Sequence, residues 1–376
     1  MKVALLGLTH PHAGILLTTL ENLPEVTAVL LWDEDPSVIE KPPLPASRKV
    51  VKISSHLEAT LSDRDLVFAI VCVRTDQAAA LAHRVIAAGK HLLAEKPVGL
   101  SSQKIQDLQQ AADHAGVIAS VLYTRRNHPC AVAARQLLQT GALGPLFTIE
   151  SRFLTTQVKY RHPSSWLFRR DQSGGGILLW LGCHCLDLMQ HVTDDEIVEV
   201  GAQLATRSGE SIDVEDTAVL ALKFRSGALG TFHAGYTLAY SGAGYVNLAG
   251  YDSYLAFNGR HGRVVWPDLN PRLQIESPSQ PSRAAVREET FQLRSSTSYG
   301  GAGGEDFFRT FIAATQQRGA PPTTLADALR TSRVIEAAEE SARSRRFVST
   351  EFPLFASGTV STFLRSEAKD PARGHS

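Results

Sequence analysis

The sequence is short of cysteine, of net charge and of long apolar runs, and each shortage narrows what the chain is. Only four cysteines occur among 376 residues, at 72, 130, 183 and 185. Cys72 and Cys183 lie inside apolar runs, where cysteine is usually a small buried hydrophobe. The Cys183-His184-Cys185 triplet invites a metal reading, but neighbours on a helix point about 100° apart and do not converge on one ion. No metal is expected. Lysine plus arginine total 38 and aspartate plus glutamate total 38, so no net field attracts nucleic acid or an anionic membrane. The longest apolar runs, such as Leu66–Val73, fall far short of the roughly 20 residues needed to span a bilayer. The chain opens directly on a strand-like run, MKVALLGL, with no charged region and cleavage site; a cytoplasmic location is the expectation.

What is present is a change of texture along the chain. Over residues 1–122, short apolar runs at Val3–Leu8, Val26–Trp32, Val50–Ile53, Leu66–Val73, His91–Ala94 and Val117–Leu122 alternate with amphipathic stretches such as Ile15–Leu23, Asp76–Ala88 and Ser102–His114. Strands apolar on both faces and separated by helices predict a parallel sheet covered on both sides, a doubly wound Rossmann domain. Residues 123–355 read differently. A helix at Pro129–Thr140 leads to a strand near Phe147–Gln157, and Gly174-Gly175-Gly176 opens an apolar helix to about His191. Strand-like segments follow at Ile197–Thr206, Thr217–Phe224, Ala228–Tyr236, Tyr245–Ala249, Ser253–Phe257 and Arg263–Trp266, without helices between them. That order predicts an α+β domain with an open, largely antiparallel sheet. Two helices, Glu305–Gln316 and Leu325–Ser344, close it; 270–302 reads as loop and 356–376 as a flexible tail.

The first strand ends in Gly7-Leu8-Thr9-His10-Pro11-His12-Ala13-Gly14. In a dinucleotide fingerprint the first glycine makes the turn and the second lets pyrophosphate approach. Gly7 fits the first position, Thr9 replaces the second, and Ala13 or Gly14 would be the third after a one-residue insertion. Pro11 suits the first helical position, so helix N-terminal amides should face an anion, with His10 and His12 near the phosphates. The second run ends in Asp33-Glu34-Asp35. Asp33 is the candidate for the adenosine ribose, somewhat further from Gly7 than the usual ~20 residues; Asp35, before Pro36, reads as a helix cap. Three carboxylates would repel a 2′-phosphate, which favours NAD over NADP. Val73 and Thr75, where the fourth run ends, extend the expected cofactor wall. A strand–helix turn without a ligand and a solvated acidic turn are the alternatives.

A more specific signal stands at the fifth strand, Gly89-Lys90-His91-Leu92-Leu93-Ala94-Glu95-Lys96-Pro97. It resembles the signature of the glucose–fructose oxidoreductase / inositol dehydrogenase / MocA family, and further segments match in order. They include Tyr123–Pro129, Gly141–Gly144, Gly174–Gly176, Gly182–Asp187, Val214–Ala218 and Ile335–Ala342. The resemblance implies NAD-dependent hydride transfer on a sugar-like or inositol-like alcohol by a homodimer or homotetramer. It assigns Glu95 to the nicotinamide ribose and Lys96 to cofactor and substrate, often with a cis peptide before Pro97. It sets Arg126 near the nicotinamide end, and His184 at the position of the family's catalytic histidine. Lys96 and His184 would handle the proton while hydride moves, His184 needing little tuning near pH 7. Trp166, Trp180, Arg126, Lys96 and His184 would contact substrate. One departure stands out: where the family commonly carries an aspartate four residues before the histidine, this sequence has Trp180, for which stacking on a sugar ring and helix packing are the two readings. Asp187 reads as structural. Two other functions remain open: NAD-using chemistry without net redox, and a non-catalytic dinucleotide-binding regulator.

Overall fold

A computed structural model describes residues 1–239, 251–268, 270–277 and 286–351. The predicted segment Tyr245–Ala249 and the tail 356–376 lie outside the described residues.

Six parallel strands form the first sheet: β1 (Lys2–Leu6), β2 (Ala28–Trp32), β3 (Val50–Ser54), β4 (Leu66–Val71), β5 (His91–Ala94) and β6 (Ala119–Val121). Their order is β3-β2-β1-β4-β5-β6. β1 and β4 are buried on both faces, which is why they read as unbroken apolar runs. Edge strand β3 exposes Val51 and Ile53. Strand order reverses between β1 and β4, so a crevice opens at their carboxyl ends, the position at which such sheets bind ligands.

The second sheet has nine strands: β7 (Leu146–Thr156), β8 (Ile197–Ala205), β9 (Thr217–Phe224), β10 (Leu229–Leu238), β11 (Tyr251–Gly259), β12 (Gly262–Trp266), β13 (Arg272–Glu276), β14 (Val286–Thr290) and β15 (Val348–Ser349). The order is β14-β13-β12-β11-β7-β10-β9-β8-β15. All pairings are antiparallel except β7 with β10. β9 shows why one face stays open: Ala218, Leu220, Leu222 and Phe224 point into the core, and Val219 between them is exposed.

One expectation needs correcting. The stretch 270–302 holds β13 and β14. β13 alternates, with Leu273 and Ile275 buried, but over only five residues; β14, VREET at the sheet edge, needs no apolar alternation. A helix from beyond the boundary expected at residue 122 also packs on the first sheet. Phe307, Phe308, Phe311 and Ile312, on the late helix Gly301–Thr315, pack with Val3, Leu5, Phe68 and Ile70 of the first sheet. Phe68 and Phe311 meet edge-to-face at 5.1 Å. Among the described residues, no helix is long and apolar enough to cross a membrane.

Candidate active site

At the end of β1 the backbone turns through Gly7 at φ +97°, and a Cβ there would lie 2.2 Å from the Cys72 carbonyl oxygen. Glycine alone meets both conditions. The adjoining helix begins at Ala13 with His12 as its N-cap, so Pro11 precedes the helix and does not open it. The spacing needs no insertion. His12 itself stands where the fingerprint's third glycine is expected, and Thr9 at the second is exposed. Asp33 closes the crevice on the β2 side. Its carboxylate accepts the Leu8 N–H at 2.8 Å and the Asp35 N–H at 3.1 Å, and keeps acceptor capacity for a hydroxyl. Asp35 caps the short helix Pro36–Glu40 by accepting from Ser37 N–H.

Opposite, β5 delivers Glu95, Lys96 and Pro97, with the Lys96–Pro97 peptide cis. Glu95 Oε1 lies 2.9 Å from His12 Nδ1 and 3.7 Å from Lys96 Nζ. His12 is therefore turned away from the helix it caps and onto the glutamate, while its own N–H donates to His10 Nδ1. Lys96 is 1% exposed. Its ammonium donates to the Trp180 carbonyl at 2.9 Å and sits 3.8 Å from the centre of the Trp180 ring.

Trp180 lies in a π-helical turn, Leu178–Gly182, that runs directly into the helix Cys183–Thr193. Such turns occur frequently at functional sites. The turn is anchored by Glu215, whose carboxylate accepts from Gly176 N–H at 2.9 Å and Leu178 N–H at 3.1 Å. Gly176 has to be glycine, since a Cβ would come within 1.8 Å of the Glu215 carbonyl oxygen. The indole packs on Trp166 at 5.6 Å, on His10 at 5.6 Å and on His12 at 5.8 Å, and Tyr299 closes on His12 at 5.0 Å. Trp180 is thus neither a remote helix-packing residue nor an open platform. It is the aromatic wall over the lysine.

His184 follows on the same helix, 8% exposed, with the Tyr123 ring 5.9 Å away. Among the described residues its Nδ1 has no hydrogen-bond partner. Burial, then the charges of Lys96, Arg125 and His12, push its pKa well below the ordinary histidine value. The imidazole is held neutral at pH 7, able to accept a proton; that is strong tuning, where the sequence suggested little was needed.

Arg126 is held by carboxylates. Its guanidinium donates to Asp187 (Nε to Oδ2, 2.8 Å) and lies 3.1 Å from Asp327 Oδ1, all three residues being buried. Burial works against its charge, but the two aspartates offset that and raise its pKa. A planar guanidinium forked by two carboxylates has little left for cofactor or substrate. Arg126 ties the turn after β6 to the His184 helix and to the last long helix. The structure brings together Gly7, His10, His12, Glu95, Lys96, Trp166, Trp180 and His184, and leaves Arg126 beneath them. Sequence reasoning missed Tyr299, Glu215 and Arg125; only the Arg125-Arg126 doublet carried a hint, and it does not say which arginine faces which way.

Two further buried atoms bear on a cofactor. Thr75 Oγ1, just beyond β4, and Glu95 Oε2, just beyond β5, have no partner among the described residues. Buried polar groups are normally satisfied, so a polar ligand in the crevice fits Gly7, Asp33, Thr75 and Glu95. No group of three or more His, Cys, Asp or Glu among the described residues is arranged to hold a metal.

Fold and site together define a Rossmann-type dinucleotide-binding protein with an appended mixed-sheet domain. The profile of the oxidoreductase family's NAD-binding Rossmann fold matches residues 1–123, and that of the GFO/IDH/MocA C-terminal domain matches residues 131–265. The chain belongs to the GFO/IDH/MocA oxidoreductase family. It is similar to 1,5-anhydro-D-fructose reductase of Ensifer adhaerens, 28% identical over 43% of this chain and 47% of that protein. Levoglucosan dehydrogenase of Pseudarthrobacter phenanthrenivorans is 23% identical over 57% of this chain and 58% of its own length. The chain thus spans about half the length of these two relatives. Myo-inositol 2-dehydrogenase of Thermotoga maritima is 24% identical over 70% and 73%. Among solved structures, an oxidoreductase domain protein from Kribbella flavida superposes with a TM-score of 0.79 at 24% identity, covering 93% of this chain and 98% of that one. Levoglucosan dehydrogenase in complex with NADH and levoglucosan gives 0.77 at 19%, covering 94% and 100%.

Proposed function

We propose that this chain is an NAD-dependent dehydrogenase or reductase acting on the CH–OH group, or the corresponding ketone, of a carbohydrate-like substrate. The observation that carries the reading is the buried pair of proton-handling groups at the crevice: Lys96 held in place by a carbonyl and a carboxylate, and a neutral His184 with an unsatisfied nitrogen. Membership of an oxidoreductase family and the similarity to sugar and inositol dehydrogenases support it. Residues 1–122 supply the cofactor site and residues 123–355 most of the substrate side. Gly7 and the helix at Ala13 face the phosphates, with Thr9, His10 and His12 beside them. Asp33 holds the adenosine ribose, Val73 and Thr75 line the wall, and Glu95 holds the nicotinamide ribose. NAD supplies the hydride acceptor or donor.

An ammonium has three N–H donors. One of those on Lys96 is spent on the Trp180 carbonyl, with Glu95 3.7 Å away as an ion-pair partner, which leaves donor capacity for the reacting oxygen. His184 receives the hydroxyl proton and, lacking the usual carboxylate partner, holds it as imidazolium only while the alcohol is being converted. The protein works in the cytoplasm, as a homodimer or homotetramer joined through the open face of the nine-stranded sheet.

The test is NADH binding together with turnover on sugars, sugar acids and cyclitols, for wild type, Lys96→Met and His184→Ala. Each variant should lose about 10²- to 10⁴-fold in turnover and keep its affinity for NADH. Wild-type turnover in both variants would overturn the mechanism, and absence of NADH binding by the wild type would overturn the function.

A further inference from the structure

Arg126 is consumed by Asp187 and Asp327, but its neighbour Arg125 is not. The Arg125 guanidinium lies over the Phe153 ring at 4.4 Å and is half-buried, and among the described residues no carboxylate pairs with it. A guanidinium laid on an aromatic face keeps its N–H edge free for a planar oxyanion. The charge of Arg125 acts on the His184 and His128 imidazoles and on the Cys185 thiol.

From the other elements around His184, the groups acting on it are Lys96 after β5 and His12 after β1, while Tyr123 after β6 offers a neutral ring. Among the described residues no carboxylate acts on His184 beside them. The carboxylate of Glu95 is engaged by His12 and Lys96, and that of Asp187 by Arg126. Trp180, four residues before His184, brings only an indole. Near His184, among the described residues, there is therefore a guanidinium that no carboxylate pairs with and an imidazole nitrogen without a hydrogen-bond partner, and the charge left over is that of Arg125. A neutral polyol leaves that charge uncompensated, and a negatively charged one completes it.

We propose that Arg125 recognises an anionic group on the substrate, so that the site selects a polyol bearing a carboxylate or a phosphate over its neutral counterpart. This rests on the proposed function and narrows its substrate class. Arg125 is a specificity residue, separate from the hydride-transfer machinery.

The experiment is calorimetric titration of the NADH-loaded protein with matched pairs: D-gluconate against D-glucitol, D-glucuronate against D-glucose, and D-glucose 6-phosphate against D-glucose. At least one anionic member should bind tenfold or more tightly than its neutral partner. Arg125→Met should bring the two within about twofold, Arg125→Lys should keep part of the preference, and NADH affinity should stay unchanged in both variants. Tighter binding of the phosphate than of either carboxylate identifies the anion as a phosphate ester. Equal binding of charged and neutral members, a preference that survives Arg125→Met, or no binding of any of these probes overturns the inference while NADH binding leaves the function standing. Failure of the wild type to bind NADH overturns both.

Discussion

Replacing Arg126 with methionine separates a structural role from a binding role. The variant removes the cation that joins Asp187 on the His184 helix to Asp327 at the start of the last long helix. Asp187 is 2% exposed and its pKa is already raised by burial, which Arg126 only partly counteracts. Asp327 retains Arg330 and its capping contacts with Thr324. The cost therefore falls mainly on Asp187, left charged and unpaired in the interior, and breaking such a pair costs about 3–5 kcal/mol. Against a total stability of about 5–15 kcal/mol, that is a large loss. Urea unfolding at pH 7, followed by far-ultraviolet circular dichroism, should show it as a lowered midpoint. Because the stranded Asp187 is stabilised in the fold by protonation, the deficit should shrink as pH falls from 7 towards 5. Asp187→Leu added to Arg126→Met should recover much of it. A loss below about 1 kcal/mol together with a large rise in substrate KM would refute the reasoning and return Arg126 to the binding surface.

Trp180→Ala should expose the Lys96 amine, which is now 1% exposed beneath the indole. Reductive labelling with pyridoxal phosphate, mapped by mass spectrometry, should modify Lys96 several-fold faster in the variant, and equal rates would refute the wall. Three buried histidines (His10, His12 and His184) and two half-buried ones (His128 and His191) have pKa values pushed down chiefly by desolvation, that of His128 to about 4 and that of His191 to about 3. Unfolding frees them to bind protons below pH ~6.5, so the fold should lose stability steadily as pH falls from 6.5 towards 4. His128→Asn, which can still cap the helix at Pro129, should make that pH dependence shallower in urea titrations.

The first sheet was legible in the sequence because its central strands are buried on both faces and read as unbroken apolar runs: Val3–Leu6 and Leu66–Val71 leave little else to read. Asp33 was legible for a different reason, since it follows immediately on such a strand, and Lys96 because it stands in the Glu95-Lys96-Pro97 triplet that carries the family resemblance. What escaped is whatever depends on which way a side chain turns. Arg125 and Arg126 are chemically identical neighbours in a single 3-10 turn at Thr124–Asn127, and only the packing partners Phe153 and Asp187 distinguish them. Trp180 showed the absence of a carboxylate, but its seat over Lys96 follows from a π-helical turn that no apolar period announces. β14 escaped because a strand at the sheet edge carries charge without penalty.

The four aromatic and aliphatic side chains of Gly301–Thr315 that cover β1 and β4 bear on how the molecule is made. During synthesis the amino-terminal strands emerge long before their cover does, and one apolar face waits bare until nearly the whole polypeptide has left the ribosome. Such a surface is a target for chaperones and a route to aggregation. A fragment ending near residue 123 would carry every cofactor contact assigned to that half except Arg126, already placed elsewhere, yet expose Val3, Leu5, Phe68 and Ile70 to water. The dinucleotide half is continuous in its sequence motifs and dependent, for its solubility, on the far end of the chain.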